Sequence, residues 1–261
     1  MQLPYKFESI KIVGKDAIDF AHRVFTRNLK SLDAGAIHAC LALSPQAKLV
    51  AWFWILKGTH ELQIFVEESQ VERLLNFINT YQFQDELEVE RIENPLTGQC
   101  ETTTQSGWRG LSFSFTASSV NPTDGWDSLR FQKLIPDWAS DCAGESRLVF
   151  EIGLEDLCDE NKGCYIGQEV VERVRSRTGR AKQSFCHFES DSPLPPAAAI
   201  YFREKQVGQL SHSVLKISDS KFWGLGFLDG RVLLAQDSVS LKSGQPLRLI
   251  GPSVETRTAT F

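Results

Sequence analysis

Cys164 stands between Gly163 and Gly167, two residues after Lys162 and just ahead of a run with helical periodicity. The string is Lys162-Gly-Cys-Tyr-Ile-Gly-Gln-Glu169. Glycines at 163 and 167 open turn conformations closed to other residues. Val170, Val171 and Val174 have the spacing of one helical face, and Glu169 to Arg173 is an i,i+4 pair with the acid first. Cys164 is therefore expected on a turn shortly before a helix N-terminus. That position, with a cation two residues away, favours thiolate over thiol, the form that attacks electrophiles and binds metals. The plainer reading is a small buried hydrophobe, since most cysteines are chosen for packing. A cysteine held between two glycines, ahead of Tyr165, is an unusual arrangement for packing alone.

The string resembles the signature of the YgfZ type of folate-binding proteins, relatives of the glycine-cleavage aminomethyltransferase (a GcvT-like superfamily). Lys162, Gly163, Cys164, Tyr165, Ile166, Gly167, Gln168, Glu169 and Arg173 all fit that signature. Ile12 to Phe20, followed by Thr26, resembles the family's opening strand-to-helix unit, and Ala42 to Lys48 its hairpin. Trp126 and Phe7 fall where aromatic residues line the family's folate pocket. Val207 to His212 and Gly224 to Leu228 resemble strands of its C-terminal barrel. Three positions depart from the pattern. Ala47 replaces a hairpin glycine, Phe7 stands for a tryptophan and lacks its indole N–H, and Gln132 falls where a glutamate would hold the pterin.

The resemblance implies a folate-binding protein that supports assembly or repair of iron–sulfur clusters in client enzymes, tRNA-thiomethylating enzymes among them. It implies an accessory factor rather than an enzyme in the strict sense. Cys164 is its functional thiol, Lys162 and Arg173 tune that thiol's charge, and Gly163 and Gly167 shape the loop. Trp126, Phe7, Tyr165, Gln168 and Glu169 contribute to binding tetrahydrofolate or a related folate. No stably bound metal is expected. The alternative is a tetrahydrofolate-dependent aminomethyl transferase. That chemistry needs an acid to orient an amine beside the folate and does not need a thiol.

Composition narrows the classes. The chain has 261 residues, 42% hydrophobic and 23% charged, as in an ordinary globular protein. A net charge of −5 does not favour broad nucleic-acid binding. The longest apolar run, Leu49 to Leu56, is too short to span a bilayer. The N-terminus lacks the pattern of a signal or transit peptide, so a cytoplasmic location is expected. The six cysteines, at 40, 100, 142, 158, 164 and 186, form no Cys-x-x-Cys pair and no zinc spacing. They are expected as free thiols, with Cys158 and Cys164 close enough in sequence to meet across a loop. The five histidines show no acid–base partner in sequence. Trp52 and Trp54 read as core. Arg173, Arg175, Arg177, Arg180 and Lys182 form a basic run that could draw phosphates or a polyglutamate tail, or simply face water.

Positioning the thiol falls to an α+β framework with antiparallel sheets. A strand over 7–13 leads to a helix capped by Asp16 and running to Leu29. A hairpin follows over 37–43 and 49–56, then strands over 62–66 and 87–92. Ser69 and Glu72 read as a capping box for a helix carrying Val71, Leu74, Leu75 and Ile78. Residues 97–110 read as a polar loop. Proline-rich Asp191 to Pro196 marks a boundary between a folate-binding region, 1–190, and a C-terminal β-barrel, 191–261. Short β-rich runs are expected there at 199–202, 206–217, 221–229, 231–235 and 246–250.

Overall fold

The structure, a computed structural model, describes residues 1–103, 107–117, 125–142, 147–177, 181–235 and 238–251. The chain divides into two compact units. The first joins Met1–Trp126 to Glu155–Arg173, and the second joins Asp127–Leu154 to Val174–Phe261.

The first unit is built on a six-stranded antiparallel sheet. Its strands are β1 (Gln2–Gly14), β2 (Ile37–Leu43), β3 (Leu49–Lys57), β4 (Glu61–Glu67), β5 (Leu87–Thr102) and β6 (Leu111–Thr116), in the order β2-β3-β4-β1-β5-β6. Side chains alternate across a strand, so each strand feeds two layers. One face carries Ile10, Ile12, Phe53, Ile55, Ile64 and Val66 into a core shared with two helices. These are α1 (Ala17–Val24), burying Ala17, Phe20, Ala21 and Val24, and α2 (Val71–Tyr81), burying Val71, Leu74, Phe77 and Ile78. The other residues of the same strands supply an aromatic cluster. Phe7 meets Trp54 and Phe115, Trp54 meets Trp52 and Phe113, and Phe65 stacks on Phe115 at 4.5 Å. Trp52 and Trp54 are buried as expected.

Both expected helix starts differ from the sequence reading. Asp16 makes no side-chain cap; its carboxylate instead accepts from the Glu86 N–H at 2.8 Å. Ser69 donates to Glu67, and a 3-10 turn, Glu68–Gln70, precedes α2. Gln70 is drawn inward because its Oε1 accepts from the Trp52 N–H at 2.9 Å. α1 also stops five residues before Leu29. Phe25 turns extended and the Thr26 N–H pairs with the Leu41 carbonyl of β2. Thr97–Thr102, expected as loop, continues β5 and pairs with β6 from Thr116 to Leu111. Local polarity loses there to a ladder of backbone hydrogen bonds.

The chain continues through α3 (Trp126–Lys133), a π-helical turn at Trp138–Cys142, a 3-10 turn at Glu155–Leu157 and α4 (Gln168–Arg177). The second unit contains a closed antiparallel barrel. Its strands are β7 (Gln183–Ser190), β8 (Ala199–Phe202), β9 (Lys205–Ser218), β10 (Lys221–Asp229), β11 (Val239–Leu241) and β12 (Pro246–Gly251), ordered β10-β7-β12-β11-β8-β9. β7 precedes the proline-rich stretch and pairs with both β10 and β12. The run at 231–235 is not a strand but lies in a short helix, α5 (Gly230–Ala235). Its first turn is set by Asp229, whose carboxylate accepts from the Arg231 N–H at 2.9 Å.

Candidate functional site

The motif loop is docked on the carboxyl end of α1. An ending helix leaves carbonyls without intrahelical partners. Here the Thr26 N–H, which would have served His22 in a longer helix, goes to Leu41. Lys162 takes over: its ammonium donates to the His22 carbonyl at 2.5 Å and the Phe25 carbonyl at 2.8 Å. A cation there also matches the negative end of the helix dipole. The Lys162 ammonium lies 4.7 Å from the centre of the Tyr165 ring. Asp159 fastens the same loop one turn earlier. Its N–H donates to the Thr26 carbonyl at 3.0 Å, its carboxylate accepts from the Asn28 N–H at 2.7 Å, and it pairs with Arg27 at 2.9 Å.

The far end of the loop is fixed by shape. Gly167 has φ of +87°, and a Cβ there would lie 2.6 Å from the Ser44 carbonyl oxygen and 3.3 Å from Ala47 Cα, in the turn between β2 and β3. Gly163 has φ of +92° with only His22 Nε2 nearby, at 4.0 Å. Ile166 packs against the helix-side core. Gln168 opens α4, and Glu169 pairs with Arg173 along its exposed face. The expected turn before a helix is therefore present, with α4 starting four residues after Cys164.

All six cysteines are free; Cys164 is exposed and the other five are buried. Lys162 is only 4% exposed. Burial drives its pKa down to about 8, against the opposing pull of Cys40, Asp159, Cys158 and Cys164. Burial likewise pushes the Cys40 thiol up to about 11 and holds His22 below its ordinary value. The Lys162 ammonium is directed onto the His22 and Phe25 carbonyls, and Cys164 is among the groups that act electrostatically on it. Arg173 is held by Glu169 on α4.

The aromatic residues expected around a folate form a second set. Trp126 is buried at the start of α3 and its indole N–H donates to the Tyr5 hydroxyl at 3.2 Å. Tyr5 also meets Phe7 edge-on at 6.4 Å. Phe7 is fully buried among Tyr5, Trp54 and Phe115. Gln132 is exposed on α3. Sequence reasoning missed a more telling feature nearby: the Nε1 donors of Trp52 and Trp54 are both buried without a hydrogen-bond acceptor. Buried N–H groups are normally paired, and no pattern in the sequence distinguishes these two tryptophans from ordinary core residues. Asp159, too, was only one acid of a run. Arg180 of the basic run lies outside the described residues. Among the described residues no cluster of three or more His, Cys, Asp or Glu side chains could hold a metal ion, and no helix is long and apolar enough to cross a membrane.

No protein-family model matches the chain. A putative chloroplastic transferase of Arabidopsis thaliana is 23% identical over 277 residues, covering 85% of this chain. The chain spans 63% of that relative's length. Among solved structures, the glycine cleavage system aminomethyltransferase T from Bartonella henselae superposes with a TM-score of 0.68 at 12% identity, over 93% of this chain and 82% of its own. The chain thus has the fold of the glycine-cleavage aminomethyltransferase, an α+β architecture of antiparallel sheets and helices with a closed barrel at its C-terminal end.

Proposed function

We propose that this chain is a folate-binding accessory protein of the YgfZ type, maintaining iron–sulfur clusters in client enzymes with Cys164 as its working thiol. One observation carries the reading. In Lys162–Glu169 the other residues serve the fold: Lys162 closes α1, Gly163 and Gly167 take left-handed turns, Tyr165 covers the ammonium, Ile166 enters the core, and Gln168 and Glu169 start α4. Of the six cysteines Cys164 alone is exposed, while Cys40, Cys100, Cys142, Cys158 and Cys186 are buried. A thiol presented on an anchored turn is suited to contact the iron or sulfur of a client's cluster, because thiolate is a soft ligand and a strong nucleophile.

The chain's own residues also suit a folate. The two buried, unpartnered indole donors of Trp52 and Trp54 match the acceptor-rich edge of a pterin. When bound, a reduced folate would supply one-carbon or reducing equivalents. Trp52 and Trp54 would orient it, and the surrounding phenylalanines would exclude water. The clients proposed are cluster-dependent enzymes such as those that thiomethylate tRNA, reached in the cytoplasm and without direct nucleic-acid binding by this chain.

The test is the thiomethylated-nucleoside content of tRNA in cells lacking the protein and restored with wild type or Cys164→Ala. Rescue by wild type only is expected. Equal rescue by both, or no defect in the deletion, would sink the reading. The fold and the putative-transferase relative favour a second reading, a folate-dependent one-carbon transferase. Transfer of formaldehyde between an amine and tetrahydrofolate by purified protein, unaffected by Cys164→Ala, would establish that reading instead.

A further inference from the structure

We propose that Lys162 is the positioning residue for Cys164, holding the thiol outward by closing the carboxyl end of α1 onto the loop that carries it. The inference rests on the reading that Cys164 is the working thiol. Only Gly163 separates the two residues, and at φ of +92° it provides no side-chain support of its own. The segment Gly163–Tyr165 runs between two anchors, with Ile166 already packed against the core. One is the Lys162 ammonium on the His22 and Phe25 carbonyls, and the other is Gly167 against the Ser44–Ala47 turn. Tyr165 is tied to the first anchor through its ring. Removing the ammonium leaves the His22 and Phe25 carbonyls without that donor and frees the segment at its Lys162 end. The Asp159 contacts with Thr26, Asn28 and Arg27 hold the chain before Lys162, not after it.

The amine can be read directly, because burial brings its pKa down to about 8. It is faced by His22 from α1, by Cys40 from β2, by Cys158 and the Asp159 carboxylate from the preceding turn, and by Cys164 and Tyr165 from its own loop. His22 lies below its ordinary value and Cys40 near 11. Cys164, the exposed thiol, can be alkylated with a trifluoroacetonyl group, which removes its own titration. A Cys158→Ala background removes the remaining thiol in question.

The experiment is fluorine NMR of that label in the full chain. In wild type we expect one resonance displaced from its position in the urea-unfolded protein, with an inflection near pH 8. Lys162→Met should lose the inflection and move toward the unfolded position while circular dichroism still reports a folded chain. Lys162→Arg, which keeps the donors and stays charged, should keep the displaced resonance without the inflection. A Lys162→Met spectrum matching wild type would overturn the proposal. If Lys162→Met does not fold, the wild type decides alone, and absence of an inflection near pH 8 overturns it. None of these readouts depends on cluster repair, so failure of the rescue experiment and failure of this one are separate results.

Discussion

Among the described residues each unit buries one Lys or Arg side chain almost completely, and the two are served differently. Arg130, at 5% exposure, donates to the Asp141 carboxylate at 3.1 Å and the Ser213 hydroxyl at 2.5 Å. Asp141 is buried with it and in turn accepts from the Asp137 N–H at 2.7 Å. Lys162, at 4%, donates to two backbone carbonyls. Arg130 is a cation matched by an anion, which is how a scaffold tolerates a buried charge. Lys162 is a cation matched by dipoles, which leaves much of its dehydration uncompensated and brings its titration near neutrality. Such groups concentrate where a protein needs chemistry or placement rather than bulk stability.

The sharpest way to break this comparison is to remove each cation. Arg130→Met should strand a buried carboxylate, whose pKa burial already pushes up, and cost about 3–5 kcal/mol. Lys162→Met should cost only about 1 kcal/mol at pH 7, since two lost hydrogen bonds are offset by the relief of a buried charge. Urea unfolding of both variants measures the gap. Equal losses would mean that the Lys162 ammonium is as well compensated as the Arg130 guanidinium.

Acidity separates them further. The folded value of Lys162, about 8, lies below its ordinary 10.5. Between those limits the unfolded chain binds more protons than the folded one, so this group's contribution to stability rises with pH and is lost as pH falls toward 8. The full displacement corresponds to about 3 kcal/mol as an upper bound. Cys40 and Cys100, both pushed up to about 11 from 9, act in the opposite sense between those values. The measurement is therefore the difference between wild type and Lys162→Met. It should widen in favour of wild type from pH 8 to pH 10, and a constant difference would contradict the buried-ammonium account.

The loop's glycines extend the contrast from charge to shape. Gly167→Ala adds a methyl 2.6 Å from a backbone oxygen at φ of +87° and should cost about 2–3 kcal/mol. Gly163→Ala, with nothing closer than 4.0 Å, should cost about 1 kcal/mol from conformation alone. Thermal unfolding of the pair reads the difference, and the order Gly167 above Gly163 is the checkable claim.

The motif's outline was legible because it combines two glycines, a periodic apolar run and an i,i+4 ion pair, each a local signal. Its anchoring was not. Lys162 reads as a charge beside a thiol until α1 is seen to stop at Val24, and that stop is dictated by Thr26 pairing with Leu41, a tertiary event. The same limit applies to Asp16, whose expected capping carboxylate is diverted to the distant Glu86 N–H, and to Gln70, drawn inward onto the Trp52 N–H. Thr97–Thr102 reads as loop by composition because β6, the partner that makes it a strand, contributes nothing to its local pattern. The helix at Gly230–Ala235 reads as strand because its apolar run is too short to show a period.

The smallest expected effect tests the surface against which Gly167 rests. Ala47 closes the turn between β2 and β3 at φ of +57°, the left-handed region that favours glycine. A left-handed alanine costs about 1–2 kcal/mol relative to its preferred regions, so Ala47→Gly should recover part of that. Glycine's greater freedom in the unfolded chain and the loss of one buried methyl work against the gain. A net stabilisation of about 0.5 kcal/mol is expected by urea unfolding. Because Ala47 Cα lies 3.3 Å from where a Gly167 side chain would begin and the Ser44 oxygen lies closer still, Ala47→Gly should not rescue Gly167→Ala. Additive effects in the double variant would place the obstruction at the Ser44 carbonyl. A rescue would place it at Ala47 and make the turn, rather than the loop, the adjustable side of the contact.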